Sequence, residues 1–224
     1  MSEFLKRLPP QVREAVAIWD AGGWAMWAIG AIALVIFGLG CHVFLGLQSK
    51  AYRSVGEDTW RGWSARKDER RGIIGRILDF LDGAESVREV ADRFKSVRAS
   101  EVQPFTRDLK VMKIFVSAAP LVGLLGTVTG MLSTFEALAS GSGAEKTVGM
   151  IASGISEALI TTETGLVIAL PGLFLQYYLK GKLDRYEGFL AHLETHCAQT
   201  AYRRSKAARK PATRRSARAA EVVA

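Results

Sequence analysis

Two apolar stretches decide the fold: VMKIFVSAAPLVGLLGTVTGMLSTFEALA, residues 111–139, and VGMIASGISEALITTETGLVIALPGLFLQYYL, residues 148–179. Each exceeds the roughly 20 apolar residues that a helix needs to cross a hydrocarbon layer of about 30 Å. A glycine-rich link, residues 140–147, joins them. Neither stretch is uniformly apolar: the first carries Ser117, Thr127, Thr129, Ser133, Thr134 and Glu136, the second Ser153, Ser156, Glu157, Thr161, Thr162, Glu163 and Thr164. A charged group at mid-membrane costs about 3 kcal/mol on insertion scales, so polar groups at this depth must face protein or water. That pattern points to helices lining a pathway.

A third apolar segment, residues 24–47, is uncharged and also long enough to span. With 49% hydrophobic residues and a net charge of +8, charge and apolarity must be segregated along the chain. The segments outside the three spans indeed hold nearly all the Lys and Arg. The fold class expected is all-α: an integral membrane protein of three transmembrane helices with helical cytoplasmic extensions. Its parts are a short interfacial lead (1–23), span one (24–47), a cytoplasmic helical loop (48–110), span two (111–139), the link (140–147), span three (148–179) and a basic tail (180–224).

The apolar run after the lead is too long for a secretory signal and no small-residue cleavage site closes it, so the first span reads as an uncleaved anchor. Before it, Val12, Ala15, Val16 and Trp19 suggest a brief amphipathic helix that Gly22 and Gly23 break, and Trp19, Trp24 and Trp27 suit an interfacial aromatic belt. Basic residues set the orientation. Lys50, Arg53, Arg61, Arg66 and Lys67 follow the first span, Arg98, Arg107 and Lys110 precede the second, and Lys180, Lys182 and Arg185 follow the third, whereas the link offers only Lys146. The positive-inside bias then places the N-terminus and the link in the periplasm and the long loop and C-terminus in the cytoplasm.

In the loop, Ile73, Ile77, Phe80 and Leu81 recur at helical spacing, as do Val87, Val90, Phe94 and Val97, so two packed helices are expected there. The third apolar stretch would reach about 48 Å as a helix, so part of it should project inward. Residues 203–218 hold eight basic residues and no acidic one. Such a juxtamembrane run meets anionic lipid headgroups; without a binding fold or interleaved aromatics beyond Tyr202 it does not read as a nucleic-acid site, and its composition predicts an irregular tail.

Four other readings are weaker. His192 and His196 sit i, i+4 with Cys197 following, but the ligand set stops there, which favours a solvated helix face over a metal site. Gly123, Gly126 and Gly130 lie inside an apolar span with no Lys-Ser/Thr after them, so they read as helix packing and not as a phosphate loop. Cys41 and Cys197 share no oxidising compartment, and no disulfide is expected. An intramembrane enzyme would need a nucleophile with a base, and spans two and three offer no His or Asp and only Lys113 near one end.

At 100° per residue, Gly123, Thr127, Gly130 and Thr134 share one stripe of the second span, and Ala158, Thr162, Gly165 and Ala169 one of the third. Small residues allow close helix packing, so a purely structural scaffold would show these stripes too. Glu157 and Glu163 are what favour a pathway. They lie about 120° apart around the helix, so they cannot both face one lumen.

The stretch APLVGLLGTVTGM (residues 119–131), followed by GISEALITTETGL (154–166) and ALP (169–171), resembles the MotA/TolQ/ExbB proton-channel family. Three spans with the N-terminus outside match its ExbB and TolQ branches better than the four-span flagellar stators, and the short N-terminus, GTVTGM and SEALITT are most similar to the ExbB of TonB-energising systems. The resemblance implies a homo-pentamer around the single spans of an ExbD-like partner, with a TonB-like transducer alongside, and protons crossing by way of a partner aspartate. It needs no cofactor. Carried over by position, the pore threonines fall on Thr127 and Thr162 and the membrane glutamate on Glu157. Where this chain has Glu163 the family usually has an apolar or uncharged residue. The angles give Glu163 a strut role between helices and Glu157, nearer the outer end, a place on the proton path.

Overall fold

The computed structural model describes the backbone of residues 9–50, 60, 62–63, 70, 72–84, 86–139 and 144–223, and the side chains within these other than 11–15, 17, 137, 144–147 and 207–223. Among the described residues six helices follow in order: α1 (Pro10–Ala21), α2 (Gly23–Ser49), α3 (Gly72–Leu81), α4 (Val87–Glu101), α5 (Gln103–Ala139) and α6 (Ala144–Val223). No strand occurs among the described residues. Of these helices, α2, α5 and α6 are long and apolar enough to cross a membrane. The expected all-α protein with three such helices is therefore what the chain forms.

Contacts divide the chain into two units, one of Met1–His42 with Leu109–Leu179 and one of Val43–Asp108 with Lys180–Ala224. In the first, α2, α5 and α6 bury Ile29, Ile36, Met112, Val116, Ala119, Ala158 and Leu179. Gly172 lies between Ile36 and Val116, each 3.1 Å from where its Cβ would stand, so small residues make room for the large side chains that the three helices bury. Outside this seam Leu121, Leu124, Phe135, Leu159, Leu170 and Phe174 are exposed. An apolar surface this extensive on a soluble monomer would be anomalous, and on a spanning helix it is the face that meets lipid or a neighbouring subunit.

A helix stands before the first span as expected: α1 starts on Pro10, whose missing N–H costs nothing in a first turn. It ends at Gly22, and Gly23 follows at φ +60°, a conformation open to glycine but strained for other residues. The break lets α1 fold against α2: the Trp19 ring covers Gly30, and Trp19 meets Trp27 edge-on with centroids 5.6 Å apart.

The second unit has its own core of Ile74, Ile77, Leu78, Leu81, Val90, Phe94, Val97, Leu183, Tyr186, Leu190 and Leu193. The two loop helices stand where the periodicity places them, with one correction. Helix α3 buries Ile74, Ile77, Leu78 and Leu81, while Phe80 is half exposed and Ile73 only partly covered. Its sequence is apolar on more than one side, so the i, i+3, i+4, i+7 set that faces α4 is chosen by packing. In α4, Val90, Phe94 and Val97 are buried and Val87 is exposed. The Arg70 side chain, 5% exposed, braces α3 by donating to the Trp63 carbonyl (2.9 Å), Asp79 (2.7 Å) and Asp82 (3.2 Å). Burial opposes its charge, but the two carboxylates outweigh that and hold the guanidinium above its ordinary pKa. Glu101 pairs with Lys50, and the wholly buried Tyr186 hydroxyl is raised well above its usual range, by burial first and by Glu101 second.

Two differences from the sequence expectation concern ends. Helix α6 begins at Ala144, within the expected link, of which residues 140–143 lie outside the described set. Its backbone continues to Val223, so the tail is helical where an irregular segment was expected. Ala, Arg and Lys are strong helix formers and no glycine follows Gly188, which favours the continuation, while Pro211 within it works against it. Arg53, Arg61, Arg66 and Lys67 of the loop, the lead with residues 1–8, and the side chain of Lys146 lie outside the described residues.

Ser86 starts α4, its hydroxyl accepting from the Glu89 N–H at 3.2 Å, and Glu89 pairs with Arg93 one turn on. Removing the cap costs about 1 kcal/mol. Ser86→Ala should therefore raise amide exchange in the first turn of α4 about fivefold, while amides in α5 stay protected.

Candidate functional site

The α5–α6 seam is built by glycines that cannot be replaced without moving backbone. A Cβ on Gly123 would lie 2.9 Å from the Thr161 carbonyl oxygen and 3.0 Å from Thr162 Cα; one on Gly130, 2.7 Å from the Gly154 oxygen; one on Gly165, 2.8 Å from the Ala119 oxygen. Gly126 faces the Thr161 side chain, with Thr161 Cβ 2.7 Å from the same construction. The obstructing atoms at Gly123, Gly130 and Gly165 are backbone, so no rotamer change relieves them. This is small-residue packing of the kind that lets spanning helices approach closely, and the packing roles expected of Gly123, Gly126, Gly130, Ala158, Gly165 and Ala169 agree with their burial.

The seam keeps the expected stripes at Gly123, Gly130 and Thr134 and at Ala158, Gly165 and Ala169, and differs from them at one position on each helix, with Gly126 buried in place of Thr127 and Thr161 in place of Thr162. On α6 the buried positions run Gly154, Ala158, Thr161, Gly165, Ala169, Gly172; on α5 they run Met112, Val116, Ala119, Gly123, Gly126, Gly130, Thr134. Thr127 and Thr162 are thus half-buried at its edges. Thr161, which the sequence reading gave no role, is wholly buried at its centre. Its spacing of three from Ala158 and four to Gly165 was the available signal.

Every hydroxyl along the seam has a backbone acceptor. Thr162 Oγ1 donates across to the Gly123 carbonyl at 3.1 Å, and Thr127 Oγ1 donates within its own helix to the Leu124 carbonyl at 2.7 Å. Thr161 Oγ1 has the Ala158 and Glu157 carbonyls at 3.0 and 3.1 Å, and Thr134 and Ser133 donate to Met131 and Gly130, each at 2.7 Å. A hydroxyl whose proton is so engaged still offers its oxygen as an acceptor. At Thr127 and Thr162, which the seam does not cover completely, that oxygen can receive a hydrogen bond from water or from a protonated carboxyl group.

The two glutamates part company. Glu163 is exposed and lies about 200° around α6 from Thr161, on the side facing away from α5. Glu157 is half-buried, and its carboxylate rests against the start of α2: a Cβ on Gly23 would overlap Glu157 Oε1 and come within 2.8 Å of Cδ. The structure thus brings Thr127 and Thr162 to one helix pair and sets Glu157 and Glu163 on different faces.

The His192, His196 and Cys197 group does not converge. His192 is exposed, and His196 meets Trp60 edge-on at 5.3 Å. Burial pushes the Cys197 thiol up to about 11, the charge of Arg70 only partly opposing this, which disfavours the thiolate that a metal would need.

Residues 70–191 match the model of the MotA/TolQ/ExbB proton channel family. Among relatives, the chain is 36% identical over 112 residues to a biopolymer transport protein ExbB homolog of Methanothermobacter thermautotrophicus, covering 50% of this chain and 38% of that one. To the biopolymer transport protein ExbB of Aquifex aeolicus it is 33% identical over 122 residues, 50% of this chain and 80% of the relative. To the Tol-Pal system protein TolQ of Haemophilus influenzae it is 35% identical over 88 residues, 39% and 37% of the two chains. The match to the first of these relatives thus spans less than half of its length.

The seam makes a direct demand on residue size. Gly165→Leu, set against the Ala119 carbonyl, should lower the amount of folded protein recovered from membranes at least fivefold, whereas Gly149→Leu, with nothing within 4 Å, should leave it within a factor of two. Recovery by detergent-extracted size exclusion reads both.

Proposed function

The chain belongs to the MotA/TolQ/ExbB proton channel family, and on that premise we propose that it is a proton-channel and stator subunit of a bacterial inner membrane. It is not an enzyme in this reading. Five copies surround an ExbD-like single-span partner, and proton flow through the assembly drives work on a TonB-like transducer for transport across the outer membrane. The N-terminus is periplasmic and the C-terminus cytoplasmic, following the distribution of Lys and Arg. The basic end of α6 meets anionic lipid.

The observation that carries the reading is the placement of Thr127 and Thr162 at the edges of the α5–α6 seam, with donors engaged and oxygens partly uncovered. Hydroxyl oxygens can solvate a moving proton or a partner carboxyl group without a fixed charge that would trap it. The chain carries no aspartate between residues 109 and 183, so the membrane aspartate that the resemblance implies belongs to the partner and works beside Glu157 of this chain. A proton falling through about 100 mV releases roughly 2.3 kcal/mol, so work at a distance requires several steps coupled to motion of one rigid element against another. Glu157 and Glu163 complete the ion pathway, Glu157 as its proton-accessible member and Glu163 as a hydrogen-bonding strut toward a neighbouring subunit.

The 35% identity to a TolQ protein makes a Tol-Pal-type subunit the second reading. Expression in strains lacking either ExbB or TolQ separates them by which defect is repaired.

Proteoliposomes containing the chain with its partner, read by a pH dye under an imposed voltage, test the channel. Flux should depend on the partner; no flux under any condition would leave a scaffold. Thr162→Val keeps the shape and deletes the hydroxyl, and should reduce flux at least tenfold at normal complex levels. Unchanged flux would remove Thr162 from the pathway.

Substitution by Gln keeps a hydrogen bond but cannot carry a proton. Glu157→Gln should abolish most flux and Glu163→Gln should reduce it less than threefold, and the reverse order would exchange the two roles.

A further inference from the structure

We propose that the Gly22–Gly23 turn is the positioning element for Glu157, holding its carboxylate against the first turn of α2 and so tying α1 to the ion pathway. The inference rests on the reading of Glu157 as a pathway residue and deepens it.

Three observations in the same unit converge. First, the volume that a side chain would fill at position 23 is taken by the Glu157 carboxylate, its Oε1 overlapping and its Cδ 2.8 Å away. Second, Gly23 has φ +60°, so the backbone itself turns there in a conformation that opens the notch, and Gly22 faces Ile160, one turn along α6 from Glu157, with Ile160 Cγ2 3.5 Å from a Cβ built at 22. Third, the same turn sends α1 back onto α2, where the Trp19 ring takes the space a side chain at Gly30 would need, its Cζ2 2.9 Å from the built Cβ, and meets Trp27. The first N–H groups of a helix have no partner within it, and its positive dipole end favours a carboxylate oxygen. The start of α2 is therefore a suitable seat for Glu157, provided that residue 23 has no side chain. The seat explains why Glu157 is half-buried in one chain although the Glu163 of the same helix is exposed. Position 23 is a positioning residue here, acting through Glu157.

The test uses the full-length chain assembled with its partner, and reads two quantities: hydrogen exchange of the α1 amides by mass spectrometry, and voltage-driven proton flux. Gly23→Ala should evict the carboxylate, raise α1 exchange at least fivefold and lower flux at least fivefold. Gly72→Ala controls for strain, because Gly72 has a similar φ of +68° with nothing within 4 Å; it should leave α1 exchange and flux within a factor of two. The double variant Gly23→Ala/Glu157→Asp withdraws the carboxylate by one methylene and should restore α1 protection. Glu157→Ala should loosen α1 as Gly23→Ala does. Unchanged α1 exchange in both Gly23→Ala and Glu157→Ala overturns the seat, as does a Gly72→Ala variant that loosens α1 equally. Loosened α1 with full flux in Glu157→Gln instead overturns the placement of Glu157 on the ion pathway and leaves the seat standing.

Discussion

The whole first unit depends on backbone meeting backbone between α5 and α6. Gly123, Gly130, Gly154 and Gly165 each stand where a Cβ would press on a carbonyl oxygen of the facing helix, at 2.7 to 2.9 Å. In a membrane, lipid tails are as apolar as leucine, so burial supplies little drive for helices to associate, and close van der Waals contact with interhelical hydrogen bonds must do so. The seam supplies both, with the Thr162 hydroxyl crossing to the Gly123 carbonyl at 3.1 Å. It also accounts for the large apolar residues lying on the outside, since inside there is no room for them.

This constraint determines the polar chemistry available. Hydroxyls at the centre, such as Thr161, are buried and committed to carbonyls, so they bend or fix the helix and take no further part. Hydroxyls one residue off the centre keep an uncovered oxygen. The same residue type is therefore committed to packing or left with a free acceptor according to a rotation of about 100°, and the phase of the seam is what separates the two.

That phase was the part of the site the sequence left open. The spans, the helices at 72–81 and 87–101, the amphipathic lead and the small-residue packing were legible because each is a property of local pattern: run length, period or glycine spacing. The paired motifs also identified the family. Adjacent Gly, Ala, Ser and Thr positions, however, are nearly equivalent by composition, and only the facing helix decides between them; for that reason Gly126 and Thr161 stand in the seam where the expected stripes have Thr127 and Thr162. Helix α3 shows the same limit in the second unit, where GIIGRILDFL is apolar on several sides and packing selects Ile74 and Leu78 over Ile73 and Phe80. The contact between Glu157 and Gly23 joins residues far apart in sequence, and neither residue's neighbours announce it. The basic tail is helical where its charge pattern predicts an irregular segment, because the helix propensity of Ala, Arg and Lys runs against that pattern.

The seam also constrains how the proposed mechanism can move. A contact limited by backbone atoms has no soft side chain to yield, so sliding α5 past α6 would lift every glycine out of register at once. The α5–α6 pair is then a rigid element, and in the proposed assembly the displacement that accompanies proton passage would occur between copies or between them and the partner. The exposed faces agree with that division. They carry Leu, Val, Phe and the uncommitted edge of the threonines, surfaces that bind by dispersion and by weak, exchangeable hydrogen bonds, and that can be traversed in steps without breaking a strong directional contact. In the assembly proposed above, a partner span would meet the same hydroxyl edge once per subunit, which is the arrangement that several proton steps of about 2.3 kcal/mol each at 100 mV would require.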